Sequence, residues 1–294
     1  MKLKRHDIIE INKGKKERVM TTFKGKKVLI TGSAQGLGRL LAIEATKKGA
    51  KNLILLDRNS EGLKKMKESL KDSDCTVNTY SCDLSQREEV YKVSNKILDE
   101  SEGIDILILN AGIVQGKKIL ETDDDLIEKT FLVNSISNFW LTKVFLPKMI
   151  EKDAGHIVTI SSVSALTSTT KLSDYAASKS ASFSFNESLR LELADLNSNV
   201  KTTVICPYYI STGMFEGVKP KFSFILDFLK PKEICRKVIR SIEKNKEILI
   251  TPNFCLTIFI ARLFPPFIGD WLHRFMGINK GMDDFIGRKN NELK

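Results

Sequence analysis

The chain has 294 residues, 42% hydrophobic and 28% charged, with a formal net charge of +11. This length fits one large domain or two small ones with a sizeable core, and the composition excludes a disordered chain. Residues 1–27 carry ten basic side chains against three acidic ones, so seven of the eleven net charges sit in that stretch. The rest of the chain is close to neutral, which excludes a large globular nucleic-acid-binding face.

Five cysteines without a C-x-x-C spacing and three scattered histidines offer no zinc-ligand pattern and no metal site. Reduced thiols in an intracellular, cytoplasmic setting are the natural reading. The first thirty residues hold no apolar signal-peptide core, and no window reaches the ~18 apolar residues of a membrane span.

From Lys26 onward, short apolar runs alternate with amphipathic stretches. Runs at 26–31, 52–57, 76–83, 105–111, 156–162, 201–207 and 247–251 read as strands. Their Val, Ile and Leu residues hardly alternate with polar ones, as in strands buried on both faces of a parallel sheet. Helical patterns fill 36–48, 60–71, 85–101, 123–151, 174–197 and 231–246. This repetition predicts an α/β fold, a Rossmann-type doubly wound parallel sheet in a single domain. The chain divides into a basic tail (1–23), an α/β domain (24–251) and an apolar C-terminal extension (252–294).

The first strand runs into the glycine-rich turn TGSAQGLG (31–38) and then an Ala/Leu-rich helix. Glycines there permit a tight turn, close approach of backbone N–H groups to a pyrophosphate, and close helix–strand packing. The simpler alternative is a plain glycine-rich turn. Asp57 closes the second strand, where an acid accepts the adenosine ribose hydroxyls and repels a 2′-phosphate. NAD(H) is therefore favoured over NADP(H), with the adjacent Arg58 working against that preference; a helix cap is the alternative role for Asp57. Asp83 ends the third strand, placed either to reach the adenine amine or to cap the helix starting near Ser85.

Tyr175 and Lys179 lie four apart and share one helix face. A phenol is normally protonated near neutral pH, and a nearby ammonium favours the phenolate, making it usable as acid or base. Ser162, at the end of the fifth strand, is placed to hydrogen-bond a substrate oxygen; Ser161 and Ser164 compete for that role.

Together, TGSAQGLG, Asp57, Asp83, Asn110-Ala111-Gly112, Asn134, Ser162 and Tyr175-x-x-x-Lys179 resemble the short-chain dehydrogenase/reductase superfamily over about 24–250. The resemblance implies hydride transfer between nicotinamide and an alcohol or ketone. It makes Tyr175 the acid/base, Lys179 its pKa-lowering partner and ribose ligand, Ser162 the substrate-oxygen donor, and Asn134 the holder of a proton-relay water. It implies cofactor contacts from Gly32, Ser33, Gln35, Gly36, Leu37, Gly38, Asp57, Asp83, Leu84, Asn110, Ala111, Gly112, Tyr175, Lys179, Pro207, Ile210 and Thr212. A homo-oligomer, dimer or tetramer, is implied as well.

A narrower resemblance, to the epidermal retinol dehydrogenase and 17-beta-hydroxysteroid dehydrogenase group, rests on CPYYISTGMFEG (206–217), GIVQGKKIL (112–120), CDLSQREEVYKV (82–93), FLPKMI (145–150) and MGINKGMDDFIG (276–287). It implies a hydrophobic small-molecule substrate of retinol, steroid or lipid type. Tyr208 replaces the glycine that many superfamily members carry there, and the basic tail stands where the group commonly has an apolar anchor. The apolar 213–231 segment is expected to cover the substrate. The still more apolar 253–278 stretch suits a channel wall, a dimer contact or an interfacial element, and with the basic tail it predicts reversible attachment to an anionic membrane or lipid droplet. The competing function class is a membrane- or lipid-droplet-associated nucleotide-binding scaffold with little catalysis.

Overall fold

A computed structural model describes residues 20–219, 227–275 and 277–288. Residues 1–19 of the expected tail and 220–226 of the expected lid lie outside them. Seven strands, β1 (Lys27–Thr31), β2 (Asn52–Asp57), β3 (Thr76–Ser81), β4 (Ile106–Leu109), β5 (His156–Ile160), β6 (Lys201–Pro207) and β7 (Ile248–Thr251), form one sheet in the order β3-β2-β1-β4-β5-β6-β7. Every neighbouring pair is parallel.

Successive side chains of a strand point to opposite faces. In β1, Val28 and Ile30 enter one core while Leu29 enters the other; β2 divides Leu53 and Leu55 from Ile54 and Leu56 in the same way. Both faces need apolar residues, which is why the strands read as unbroken hydrophobic runs. The first face is covered by α1 (Gly36–Lys47), α2 (Ser60–Ser69) and α7 (Pro231–Glu243), the second by α3 (Arg87–Ser101), α5 (Ser137–Glu151) and α6 (Ser173–Asp195).

Two features depart from the pattern in the sequence. The stretch 123–151 is not one regular helix: α4 (Asp124–Phe131) passes through a π-turn at Leu132–Ile136 before α5 begins. The polar partners of Asn134 account for the widened turn, because its main-chain carbonyl accepts from Ser182 Oγ at 2.6 Å. In addition, Thr21 and Phe23, at the end of the basic stretch, pack against the body of the domain. Phe23 is buried, and Thr21 Oγ1 donates to Asn245 Oδ1 at 2.6 Å and lies 3.0 Å from His156 Nδ1.

The C-terminal extension forms two short helices, α8 (Thr257–Ala261) and α9 (Pro266–Phe275), then turns back across the strand ends. No described helix is long and apolar enough to cross a membrane.

Candidate active site

The sheet reverses winding direction at β1, which lies between β2 and β4, and ligands of open parallel sheets bind beyond the strand carboxyl ends at such a point. A cleft of about 560 Å³ opens there, running from the glycine turn past Tyr175 to α8 and α9.

At its first end, Gly32 and Gly36 have φ of +63° and +59°, which bend the chain tightly from β1 into α1. A Cβ on Gly38 would stand 2.2 Å from the Gly32 carbonyl oxygen, so helix and strand approach as only glycine permits. The N-cap residue of α1, Gln35, makes no side-chain cap, and its first turn carries no acidic residue; α2, by contrast, is capped by Asn59 Oδ1 accepting from Gly62 N at 2.9 Å. The first turn of α1 is thus left to an anionic ligand, and the cradle fits a dinucleotide pyrophosphate.

Asp57 is held by Ala34 N and Asn59 N, each donating to one carboxylate oxygen at 3.0 Å. Asp83 caps the next turn through Ser85 N at 2.9 Å and Ser85 Oγ at 2.8 Å. Burial raises the Asp83 pKa, but these bonds and the charges of Lys129 and Arg58 outweigh it and leave it below the usual carboxylate value. Asn110 ties β4 to β1: its Nδ2 donates to Thr31 O at 2.8 Å and Gly32 O at 3.1 Å, and Thr31 Oγ1 accepts from Asn110 N and Ala111 N.

Farther along, Tyr175 and Lys179 present one face of α6 to the cleft, both buried. Lys179 Nζ donates to Ile160 O at 2.8 Å and stands 5.8 Å from the centre of the Tyr175 ring. Burial pulls the Lys179 ammonium down to about 8. Burial also pushes the Tyr175 hydroxyl above its ordinary value, opposed by a hydrogen bond with Ser162. Desolvation therefore governs the phenol more than the neighbouring ammonium does.

Asn134 lies behind this pair. Its Oδ1 accepts from Ile113 N at 2.8 Å, and its Nδ2 donates to Ile113 O and Ser178 Oγ, each at 2.9 Å. A Cβ on Gly112 would fall 3.2 Å from Lys179 Nζ and 3.4 Å from Asn134 Oδ1, so the missing side chain leaves Lys179 and Asn134 close together. All three competing serines line the cleft: Ser162 Oγ accepts from Ser164 N at 3.1 Å, Ser161 Oγ donates to the Lys179 carbonyl, and Ser164 Oγ is buried without a hydrogen-bond partner.

Gly32, Gln35, Gly36, Leu37, Asp57, Asp83, Leu84, Asn110, Ala111, Gly112, Ser162, Tyr175, Lys179, Pro207, Ile210 and Thr212 all line the cleft. Ser33, Gly38 and Asn134 instead support it from behind. Sequence reasoning missed the segment near the C-terminus that backs the cleft, where Phe285 packs behind the lining residue Phe215 and Arg288 reaches the glycine turn. Only the glycines at 116, 217 and 287 hint at such close approaches in the sequence.

The short chain dehydrogenase family model matches residues 26–222. The chain belongs to the short-chain dehydrogenase family. Its relatives include short-chain dehydrogenase/reductase family 16C member 6 of Bos taurus and epidermal retinol dehydrogenase 2 of Homo sapiens, each 40% identical. Those alignments cover 90% of this chain and 84% and 86% of the two relatives. Retinol dehydrogenase 10-B of Danio rerio is 36% identical, over 92% of this chain and 89% of its own. Among solved structures, a short-chain dehydrogenase/reductase from Burkholderia phymatum in complex with NAD superposes with a TM-score of 0.73 at 25% identity, covering 81% of this chain and 93% of that one. A short-chain dehydrogenase from Sphingobium yanoikuyae in complex with NADPH shares the fold, with a TM-score of 0.72 at 22% identity over 80% and 91% of the two chains. This short-chain dehydrogenase is an NAD(P)-dependent oxidoreductase acting on alcohols.

Proposed function

We propose that the enzyme interconverts a hydrophobic alcohol and its carbonyl form with NAD(H), using Tyr175 as acid and base. The carrying observation is the placement of Tyr175: buried, in the same lining as Ser162 and Lys179, and midway along a cleft that has the glycine cradle at one end and an apolar chamber at the other. Leu172, Tyr209, Met214, Phe215, Phe254 and Ile258 line that chamber, and Phe215 meets the Tyr175 ring edge-on at 5.8 Å. A greasy substrate of retinoid, steroid or other lipid type suits such walls.

The glycine turn would hold the pyrophosphate, Asp57 the adenosine ribose and Lys179 the nicotinamide ribose. The cofactor, when bound, supplies the hydride acceptor or donor. In oxidation, Ser162 and Tyr175 bind the substrate hydroxyl between them, and Tyr175 Oη takes its proton as the carbonyl forms. Lys179 charge favours the phenolate, and Asn134, whose Oδ1 flanks the bare Gly112 position as Lys179 Nζ does, would hold the water through which the proton leaves. In reduction the same Tyr175 oxygen returns a proton to the substrate oxygen.

A carboxylate at Asp57 favours NAD(H), since it would repel the 2′-phosphate of NADP(H). Beyond the chamber, Leu263, Phe267 and Trp271 are 83%, 70% and 64% exposed, leaving an apolar rim suited to a lipid or droplet surface. Exposed Ile136, Phe139 and Leu191 support a homo-oligomer by the same reasoning.

Steady-state kinetics on retinoids, steroids and aliphatic alcohols, with NAD and NADP, test the reading. Tyr175→Phe should lower kcat by about 100-fold or more while NADH affinity stays within about twofold. Parent-like turnover in the variant, or equal kcat/KM with the two cofactors, would overturn the assignment concerned. A parent protein that binds NADH but turns over none of the panel favours the scaffold alternative.

A further inference from the structure

We propose that Arg288 is a ligand of the cofactor pyrophosphate, carried to the glycine turn by a C-terminal strap, residues 281–288. The proposal rests on the dinucleotide reading above and extends it to a residue outside the glycine-turn motif. The strap is seated by several independent contacts. Lys219 N donates to Gly281 O at 3.1 Å, Lys171 Nζ donates to Met282 O and Asp283 O, and Ile286 N and Gly287 N both donate to Glu216 O. Met282 is fully buried in the cluster that contains Tyr175. Two glycines make room for the strap. A Cβ on Gly116 would stand 2.0 Å from the Phe285 ring, and one on Gly217 would stand 2.0 Å from the Asp284 carbonyl oxygen.

Gly287, at φ +71°, turns the chain toward the cofactor end of the cleft. Arg288 Nη2 then lies 3.2 Å from where a Gly36 Cβ would be and reaches Thr212 O at 3.5 Å. Among the described residues, the basic ones lining the cleft are Arg58, Lys179, Arg262 and Arg288. Arg58 follows the ribose-binding Asp57, Lys179 serves Tyr175, and Arg262 follows α8 at the far mouth. Arg288 is therefore the cleft-lining cation beside the first turn of α1, where the pyrophosphate carries two negative charges. A guanidinium meets phosphate oxygens with a planar fork of donors, in a manner that lysine cannot fully reproduce. Because NAD and NADP share the pyrophosphate, Arg288 adds affinity without choosing between them.

The test is direct titration of NADH, NADPH and ADP-ribose into the parent, Arg288→Gln, Arg288→Lys and a chain ending at Gly287, with melting curves recorded without ligand. Arg288→Gln should weaken all three ligands about tenfold and by similar factors, Arg288→Lys should fall between, and the substrate-free melting temperature should stay at the parent value. Unchanged affinity in Arg288→Gln would overturn the proposal, as would a loss confined to NADH and NADPH that spares ADP-ribose. Should Arg288→Gln melt early, parent-like binding by the lysine variant and the chain ending at Gly287 would refute it equally. A parent that binds none of the three ligands would refute the dinucleotide reading itself, whereas binding by parent and Arg288→Gln alike removes only the strap assignment.

Discussion

The two ends of the cleft are built in opposite ways. The cofactor end is made of backbone: Gly32, Gly36 and Gly38 lie within seven consecutive residues, and Asp57 arrives one strand later. The chamber end is made of side chains that come from distant parts of the chain, with Leu172, Tyr175, Phe215 and Met282 in one cluster. Close backbone packing leaves little room for variation. A wall of interlocking side chains can be reshaped by single substitutions, so substrate choice has more freedom to change than cofactor binding.

The sharpest way to break this contrast is Gly38→Ala. The new methyl would lie 2.2 Å from a backbone oxygen and 2.6 Å from Asn110 Nδ2, and neither can swing away as a free side chain would. Overpacking of this kind costs about 3 kcal/mol. Chemical denaturation should register that loss, and NADH titration should show at least tenfold weaker binding. A variant with parent stability and affinity would show that the cofactor end is softer than its packing implies.

A second, somewhat smaller effect acts beneath both ends at once. His156 starts β5, at the amino ends of the strands and away from the cleft, with Nε2 2.7 Å from Thr203 Oγ1 and Nδ1 3.0 Å from Thr21 Oγ1. Burial, with the charge of Lys201 adding to it, pushes its pKa down to about 3 from 6.5. The unfolded chain takes up this proton below about pH 6.5 while the folded protein resists it until about pH 3. The stability contributed by neutral His156 is thus complete above pH 6.5 and is lost as pH falls. At pH 4.5 the loss should reach about 2–3 kcal/mol, from about 1.4 kcal/mol per pH unit. His156→Gln should flatten that part of the pH–stability curve measured by denaturant unfolding. An equal slope in the variant would assign the acid sensitivity elsewhere.

The same contrast explains what could be read from sequence. The strands were legible because each needs apolar residues on both faces, and the glycine turn because its logic is contained in eight residues. Helical spacing was enough to put Tyr175 and Lys179 on one face of a helix, which is where α6 carries them. Ser161, Ser162 and Ser164 could not be separated by spacing, and their different partners in the fold depend on Lys179 and on the local turn rather than on any sequence pattern. Asn134 was named, but not the π-turn that positions it, since that turn depends on Ser182, forty-eight residues away. Phe23 lies just before the first strand, so its burial could not be read from local charge. The strap was hidden for a related reason: Phe285 and Gly116 meet across 169 positions, and neither has a local pattern that names the other.

Gly116→Ala probes that last contact and should have the mildest effect. Gly116 sits at φ +70°, where an L-residue costs about 1–2 kcal/mol. Its new methyl would strike the Phe285 ring, which belongs to a short terminal segment able to move aside. The sheet and glycine turn should therefore stay intact while the strap lifts. Limited trypsin digestion should cut faster after Lys280, and kcat/KM for an apolar alcohol should fall several-fold, with a smaller loss of NADH affinity as Arg288 is drawn from the turn. Phe285→Ala added to Gly116→Ala should relieve the collision and recover stability without recovering the substrate-side loss, because the ring that backs the lining residue Phe215 is then gone. If Gly116→Ala leaves both cleavage and kinetics unchanged, the strap is not keyed at Gly116, and the chamber is held shut by its backbone bonds to Glu216 and Lys219 instead.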